Sequence, residues 1–255
     1  MEKTILKRTL IIFFMVIVPL ALSAQTPSII QNIRIPLWAE LDAYPAMVAE
    51  EDSGDSEAAD VEAATGPEDA EDAEATKEPG QYDYPVKSLK EIAPYLIGGM
   101  VYGWEFYYTP SDKQRNVEEI LEVTEIVSSD LIKSGIEYSS PWLQENRLNC
   151  WCTYKRNASQ VQNYYLWSSI QNPIVQGRGF GSVKLGFEGI KLAANDALKN
   201  AIRSYYRNLI KNKPKAITGK VLIRDLPQLG IDSGRYVINL DFFLECGKIV
   251  QYEIY

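Results

Sequence analysis

Between Glu50 and Glu78 the chain carries thirteen acidic residues and a single basic one, Lys77. No other feature restricts the fold so strongly. Residues 49–80 are built from Ala, Glu and Asp with Gly, Ser and Pro, and hold no aromatic side chain. Such a stretch cannot bury enough apolar surface to offset the entropy of ordering, and its like charges repel. It is read as a disordered acidic linker, since the regular ligand spacing of a calcium loop is missing. Its net charge of −12 leaves +4 for the remainder of a chain whose total is −8. The low pI therefore belongs to the linker, and no acidic binding face follows from it.

On the N-terminal side of the linker the sequence reads as an address followed by an arm. Lys3, Lys7 and Arg8 precede an apolar run, residues 9–22, and Ser23-Ala24 closes it with small side chains. Basic, apolar and small regions in that order are the pattern of a secretory signal peptide, residues 1–24, with cleavage between Ala24 and Gln25. The run is shorter than the roughly 20 residues that span a bilayer. Leu22 is bulky for its place before the cut, so an uncleaved anchor is the alternative. No cysteine stands near the cut to carry a lipid, and no later segment has the length and apolarity of a membrane helix. The expected location is periplasmic or associated with the outer envelope. Residues 25–48 then form an apolar arm, with Ile29, Ile30, Ile33, Ile35, Leu37, Trp38 and Leu41. Pro36 and Pro45 argue against a helix, so the arm is expected to lie extended against a sheet edge, either its own or a partner's.

Histidine is absent from the chain. That removes histidine-dependent triads and dyads, imidazole metal sites and the usual charge switch near neutral pH. Of the three cysteines, Cys246 could bridge to Cys150 or to Cys152 in an oxidising compartment; three buried free thiols are the alternative. Three thiols without histidine match no usual zinc spacing, so no metal is expected. No cofactor is expected either.

The folded region is expected in two parts: an aromatic-rich β subdomain over residues 81–175, and a helix with a β-meander over residues 176–255. In the first, 88–97 reads as a short helix stopped by Gly98-Gly99, followed by strands at 100–108 and 117–127. Residues 148–154 and 161–170 read as a hairpin around Arg156-Asn157-Ala158-Ser159. In the second, Ile190, Ala194, Ala197, Leu198, Ala201, Ile202, Tyr205 and Leu209 recur at helical spacing, and Pro214 ends the pattern. Strands at 220–226, 235–245 and 248–255 follow, the last two joined by a turn at Cys246-Gly247. The fold class is α+β: antiparallel sheet with one long amphipathic helix packed on a face, the two parts forming one sheet or two.

Candidate sites are few. Tyr102, Trp104, Phe106 and Tyr108 share one strand face and could stack on a sugar ring, as could Trp151, Tyr164 and Trp167; a core role competes with this reading. If that face is core, Glu105 and Tyr107 are the ones exposed. Glu105, Glu118, Glu119, Glu122 and Glu125 form no pair recognisable as a glycosidase dyad. Gly177-Arg178-Gly179-Phe180-Gly181 looks like a phosphate-cradling loop but lacks the context of one, and is read as a flexible junction. The basic stripe of the long helix (Lys199, Arg203, Arg207, Lys211) could touch phosphate or anionic lipid, or be the wet face of the helix.

Gly179-Phe180-Gly181, the alanine-spaced helix (Ala193, Ala194, Ala197, Ala201) and Tyr236-Val237-Ile238 together resemble the domain of small envelope lipoproteins and flagellar basal-body accessory proteins. The resemblance covers about 175–245 and implies a non-catalytic assembly factor. The chain departs from that pattern in lacking a lipid-bearing cysteine. The leading expectation is thus a non-catalytic envelope structural or interaction protein, not an enzyme, with an envelope protein or a second copy as partner and no nucleic acid. A glycan- or peptidoglycan-binding module is the alternative, and a carboxylate-dependent cell-wall hydrolase the third.

Overall fold

The computed structural model describes residues 30–42 and 82–252. The expected signal peptide, its expected cleavage point at Ala24 and Gln25 and the expected disordered linker lie outside the described residues.

Two antiparallel sheets and four helices make up the described chain. A three-stranded sheet has the order β1 (Asn32–Glu40), β5 (Arg147–Lys155), β4 (Ile136–Gln144). A six-stranded sheet runs β3 (Ile120–Glu125), β2 (Trp104–Thr109), β7 (Ala216–Ile223), β9 (Arg235–Val250), β6 (Ile174–Ser182), with β8 (Gln228–Asp232) also paired to β9. The helices are α1 (Asp83–Val101), a single-turn α2 (Asp130–Lys133), α3 (Ala158–Trp167) and the long α4 (Gly186–Leu209). The α+β expectation with one long helix on a sheet face holds. The larger sheet takes strands from both sides of residue 175.

The arm is part of this core. Asn32–Glu40 pairs antiparallel with β5 from Asn32↔Lys155 to Glu40↔Arg147. Alternation buries Ile33, Ile35, Leu37 and Ala39, each no more than 4% exposed. Pro36 is tolerated because β1 is an edge strand, where a missing N–H breaks no ladder bond. α1 packs on β1 and β5 of the small sheet and on β7 and α4 of the large one. Ten consecutive residues of it, Ile92 to Val101, are buried. A helix apolar all round belongs in an interior, and this one joins the two sheets into one hydrophobic cluster.

Several local expectations give way to longer-range contacts. Gly98-Gly99 does not stop α1, which runs to Val101; the break comes at Gly103, whose φ of +81° turns the chain into β2. Met100 and Tyr102 accordingly fall outside the aromatic strand. Residues 158–167 are helix, not the second strand of a hairpin. Asn157 accepts from the Gln160 backbone N–H at 2.9 Å, and the Gln160 side chain accepts from the Asn157 N–H at 2.8 Å, a complete capping box. The chain does not turn at Cys246-Gly247 either; β9 continues to Val250, and the hairpin lies earlier, at Ser233-Gly234, both with positive φ.

The glycine-rich segment is neither a junction nor a loop. It is β6, and Gly177, Gly179 and Gly181 form the stripe on which α4 lies. A Cβ on these residues would stand 1.9 Å from the Ala197 carbonyl oxygen, 2.1 Å from that of Ala193 and 1.8 Å from that of Gly189. Helix backbone thus rests directly on strand backbone, which only residues without side chains allow. Contact this close lets helix side chains reach the outer edge of the strand. Asp196 accepts from the Phe180 N–H at 3.2 Å, and Asn200 donates to the Arg178 carbonyl at 2.9 Å. An edge that would otherwise offer free backbone groups is partly closed by its own helix.

Candidate functional site

The seven aromatic residues singled out for stacking are not brought together. Trp104, Phe106 and Tyr108 are 1%, 3% and 2% exposed and point into the core between the sheet and its helices. Trp104 stacks on Tyr95 at 5.0 Å between ring centroids and meets Phe242 at 6.2 Å. These rings are unavailable to a sugar, because the elements above them occupy the face that a ligand would need. Tyr102 accepts from Gln160 Nε2 at 2.8 Å beside the start of α3. Trp167 is buried against Leu222 and Phe243 on the opposite face of the large sheet, where half-buried Tyr164 meets Phe243 edge-on. Trp151, half-buried, lies in the small sheet with Trp142 at 6.1 Å and the Arg34 guanidinium 4.4 Å above its ring.

The alternate residues of β2 are those that face outward, as the two-residue period requires. Glu105 and Tyr107 open on a hollow of about 390 Å³ across β3, β2 and β7, which also presents Glu122, Thr124, Lys220 and Glu245. Tyr107 is 42% exposed there, and Glu105 pairs with Lys220 at 3.1 Å.

Of the other carboxylates singled out, Glu119 and Glu125 are tied into structure. Glu119 accepts from the Tyr108 hydroxyl at 2.6 Å and from both Nε and the terminal nitrogen of Arg203. Burial alone would push its carboxyl up, but the hydrogen bonds from Arg203 and Tyr108 outweigh it and hold the group below the usual range. Burial and the Glu119 carboxylate together push the Tyr108 hydroxyl up. Glu125 accepts from the Ser129 N–H at 2.7 Å and so anchors the turn into α2.

No disulfide joins Cys246 to either partner; all three thiols are free. Cys150 and Cys152 are two apart on β5, side by side beneath the small sheet with their sulfurs 3.6 Å apart. Cys246 is exposed on β9 of the large sheet, its sulfur 3.9 Å from the Tyr205 hydroxyl. The cysteines belong to different sheets, which sequence spacing could not reveal. The Cys150 sulfur, together with burial, raises the Cys152 thiol above its ordinary value. Among the described residues, no cluster of cysteine and carboxylate side chains has the arrangement of a metal site.

Two features escaped sequence reasoning. One is Arg156, only 4% exposed, which donates to the carbonyls of Ile30 and Met100 at 2.7 Å each and lies 4.8 Å over the Tyr164 ring. It ties the entry of β1, the end of α1 and the flank of α3 to one another, with no carboxylate partner among the described residues. The other is a set of apolar side chains left exposed around the end of α3. Tyr165, Leu166, Ile170 and Ile174 are 52%, 66%, 102% and 49% exposed within ten residues. Reading residues 161–170 as a strand hid this patch, since only the helix turns Trp167 inward while presenting Leu166 and Tyr165 to solvent.

A protein-family model matches residues 21–252 of the chain. A protein of Treponema pallidum (strain Nichols), described as an uncharacterized protein, is 27% identical over 224 residues, which cover 88% of this chain and 83% of that one. No solved structure matches the chain.

Proposed function

The chain belongs to the family whose model spans residues 21–252, and from that premise we propose that it is a non-catalytic structural or interaction protein of the cell envelope, an accessory that docks through the apolar patch at the end of α3. Residues 1–24 direct export and are removed. The protein then works outside the cytosol, in the role implied by the resemblance of residues 175–245 to envelope assembly factors.

The patch carries this reading. Single exposed apolar side chains are ordinary on protein surfaces, but clustered ones mark contact sites. Here four fall within ten residues, and Ile170 is wholly exposed. Below them, Trp167 fixes α3 to the sheet through Leu222 and Phe243, so the patch sits on a rigid support. Lack of histidine across the chain and the engagement of Glu105, Glu119 and Glu125 in structural contacts fit a binding protein better than a hydrolase. Among the described residues no helix is long and apolar enough to cross a membrane.

The test is native electrophoresis of detergent-extracted envelopes from cells carrying either the natural chain or the double variant Leu166→Ser, Ile170→Ser. Both positions are exposed, so the variant keeps its fold. The natural chain should migrate in a complex well above the mass of the processed chain, itself smaller than the 28.8 kDa of the full sequence, and the variant should run free. Identical migration of the two would remove the patch from the account.

A second reading, a glycan-binding module, is favoured by the hollow around Tyr107. One exposed ring flanked by carboxylates and hydroxyls is a combination that suits a sugar face and its rim of hydroxyl groups. Titration calorimetry with peptidoglycan fragments decides it: binding that Tyr107→Ala abolishes supports this reading, and heat that is unchanged in Tyr107→Ala ends it.

A further inference from the structure

On the opposite face of the large sheet from α3, the C-terminal end of α4 and the loop after β2 enclose a cavity of about 420 Å³. Its lining is of two kinds. Tyr108, Tyr206, Ile210, Pro214 and Ile217 supply an apolar floor, and Arg203, Arg207, Lys211 and Lys213 supply cations. The only carboxylate in the lining is Glu119, already engaged by Arg203 and by the Tyr108 hydroxyl. Lys213 donates to a neutral acceptor, the Ser111 carbonyl, at 2.7 Å. Lys211 and Lys213 also line an adjoining hollow with Lys113 and Arg115. The one carboxylate there, Asp112, is held by Arg115 and the Gln114 N–H. Among the described residues lining the two hollows, six cations stand against two carboxylates, and both carboxylates are committed.

Basic residues near a helix C-terminus have an ordinary explanation, because they offset the negative end of the helix dipole. That end amounts to about half an elementary charge and acts within the last turn. It accounts for one of these cations, not for the surplus. A basic stripe that were only a solvated helix face would also have no concave apolar floor beneath it.

We propose that this cavity binds an anionic amphiphile, a molecule with a phosphate head and an apolar body. Arg207 and Lys211, at the rim, meet the phosphate, and the planar fork of arginine suits its oxygens. Ile210, Pro214 and Ile217 take the apolar part. The volume lies in the range of small-ligand sites, which combine a largely apolar wall with a few polar groups. The site is independent of the α3 patch, so either proposal can fail alone.

The experiment is titration calorimetry of the full chain with three probes: dihexanoyl phosphatidic acid, dihexanoyl phosphatidylcholine and inorganic phosphate. The double variant Arg207→Gln, Lys211→Gln, both exposed, is run beside the natural chain with circular dichroism as a check of folding. The expected result is saturable binding of one phosphatidic acid per chain, with the other two probes and the double variant each weaker by about tenfold or more, as expected for losing two partly exposed charge contacts or the apolar contact. Inorganic phosphate binding as tightly as phosphatidic acid would leave the floor idle and overturn the proposal. So would phosphatidylcholine binding equally well, an unaffected double variant, or no binding of phosphatidic acid.

Discussion

Adding one methyl group to β6 should cost more than removing most surface side chains. In Gly179→Ala the new Cβ would stand 2.1 Å from the Ala193 carbonyl oxygen and 2.2 Å from the Ala197 nitrogen. Ordinary close C···O contacts lie near 3.3 Å, so α4 and β6 must separate by about 1 Å. The opposing atoms are helix backbone and cannot rotate away. A gap of that size forfeits roughly a quarter to a half of the dispersion energy along the contact, and it also stretches the Asp196–Phe180 and Asn200–Arg178 bonds, now 3.2 and 2.9 Å. Overpacking alone costs about 1–3 kcal/mol, and with the edge bonds weakened the expected loss is about 3 kcal/mol. Gly230→Ala in β8 is the control, because a Cβ there meets nothing within 4 Å; relief of glycine's entropy cost should leave it neutral or more stable by about 0.5–1 kcal/mol. Urea unfolding of both variants reads the difference as a shift in midpoint at constant slope. If the two lie within about 0.5 kcal/mol of each other, the view that the glycines exist to seat α4 is wrong.

Four further variants probe other contacts of the fold. Asn157→Ala removes the capping box at α3 and should cost about 1 kcal/mol, read as a lower melting temperature; Gln160→Ala should cost more, because Gln160 also donates to Tyr102 and Tyr154. Arg156→Met leaves the Ile30 and Met100 carbonyls without their buried donor; the loss is offset in part by removing a buried charge, for a net destabilisation of about 2 kcal/mol in urea. Glu119 has a folded-state value below its ordinary 4.5, so its contribution to stability is complete above that value and is lost as pH falls through the lower, folded one. Urea midpoints from about pH 6 to about pH 3 should therefore fall less steeply in Glu119→Gln than in the natural chain; equal slopes would show that the Arg203 pair contributes nothing.

The sequence disclosed what depends on local periodicity. Helix α4 was legible because Ile190, Ala194, Ala197 and Ala201 repeat at its own spacing, and the two faces of β2 were legible from alternation. What pairs with what was not. Gly177, Gly179 and Gly181 looked like a loop because the reason for them is a helix some ten residues downstream. Cys246-Gly247 looked like a turn, whereas pairing with β7 carries β9 straight across it, with a register shift opposite Ile217 and Gly219. Arg156 to Ser159 looked like a hairpin turn because the apolar run from Tyr164 to Trp167 fits a strand as well as a helix, and the tertiary contacts of Trp167 decide the matter. The apolar patch and the cationic cavity were illegible for the same reason, since each is made of residues whose exposure is set by distant elements.

The central claim is that the end of α3 is a docking surface in the envelope. A photo-cross-linking amino acid placed at Ile170 in intact cells, with one at exposed Lys90 of α1 as control, tests it most directly. The account predicts one discrete adduct from position 170, absent from position 90. Irradiation that yields no more from 170 than from 90 would contradict it.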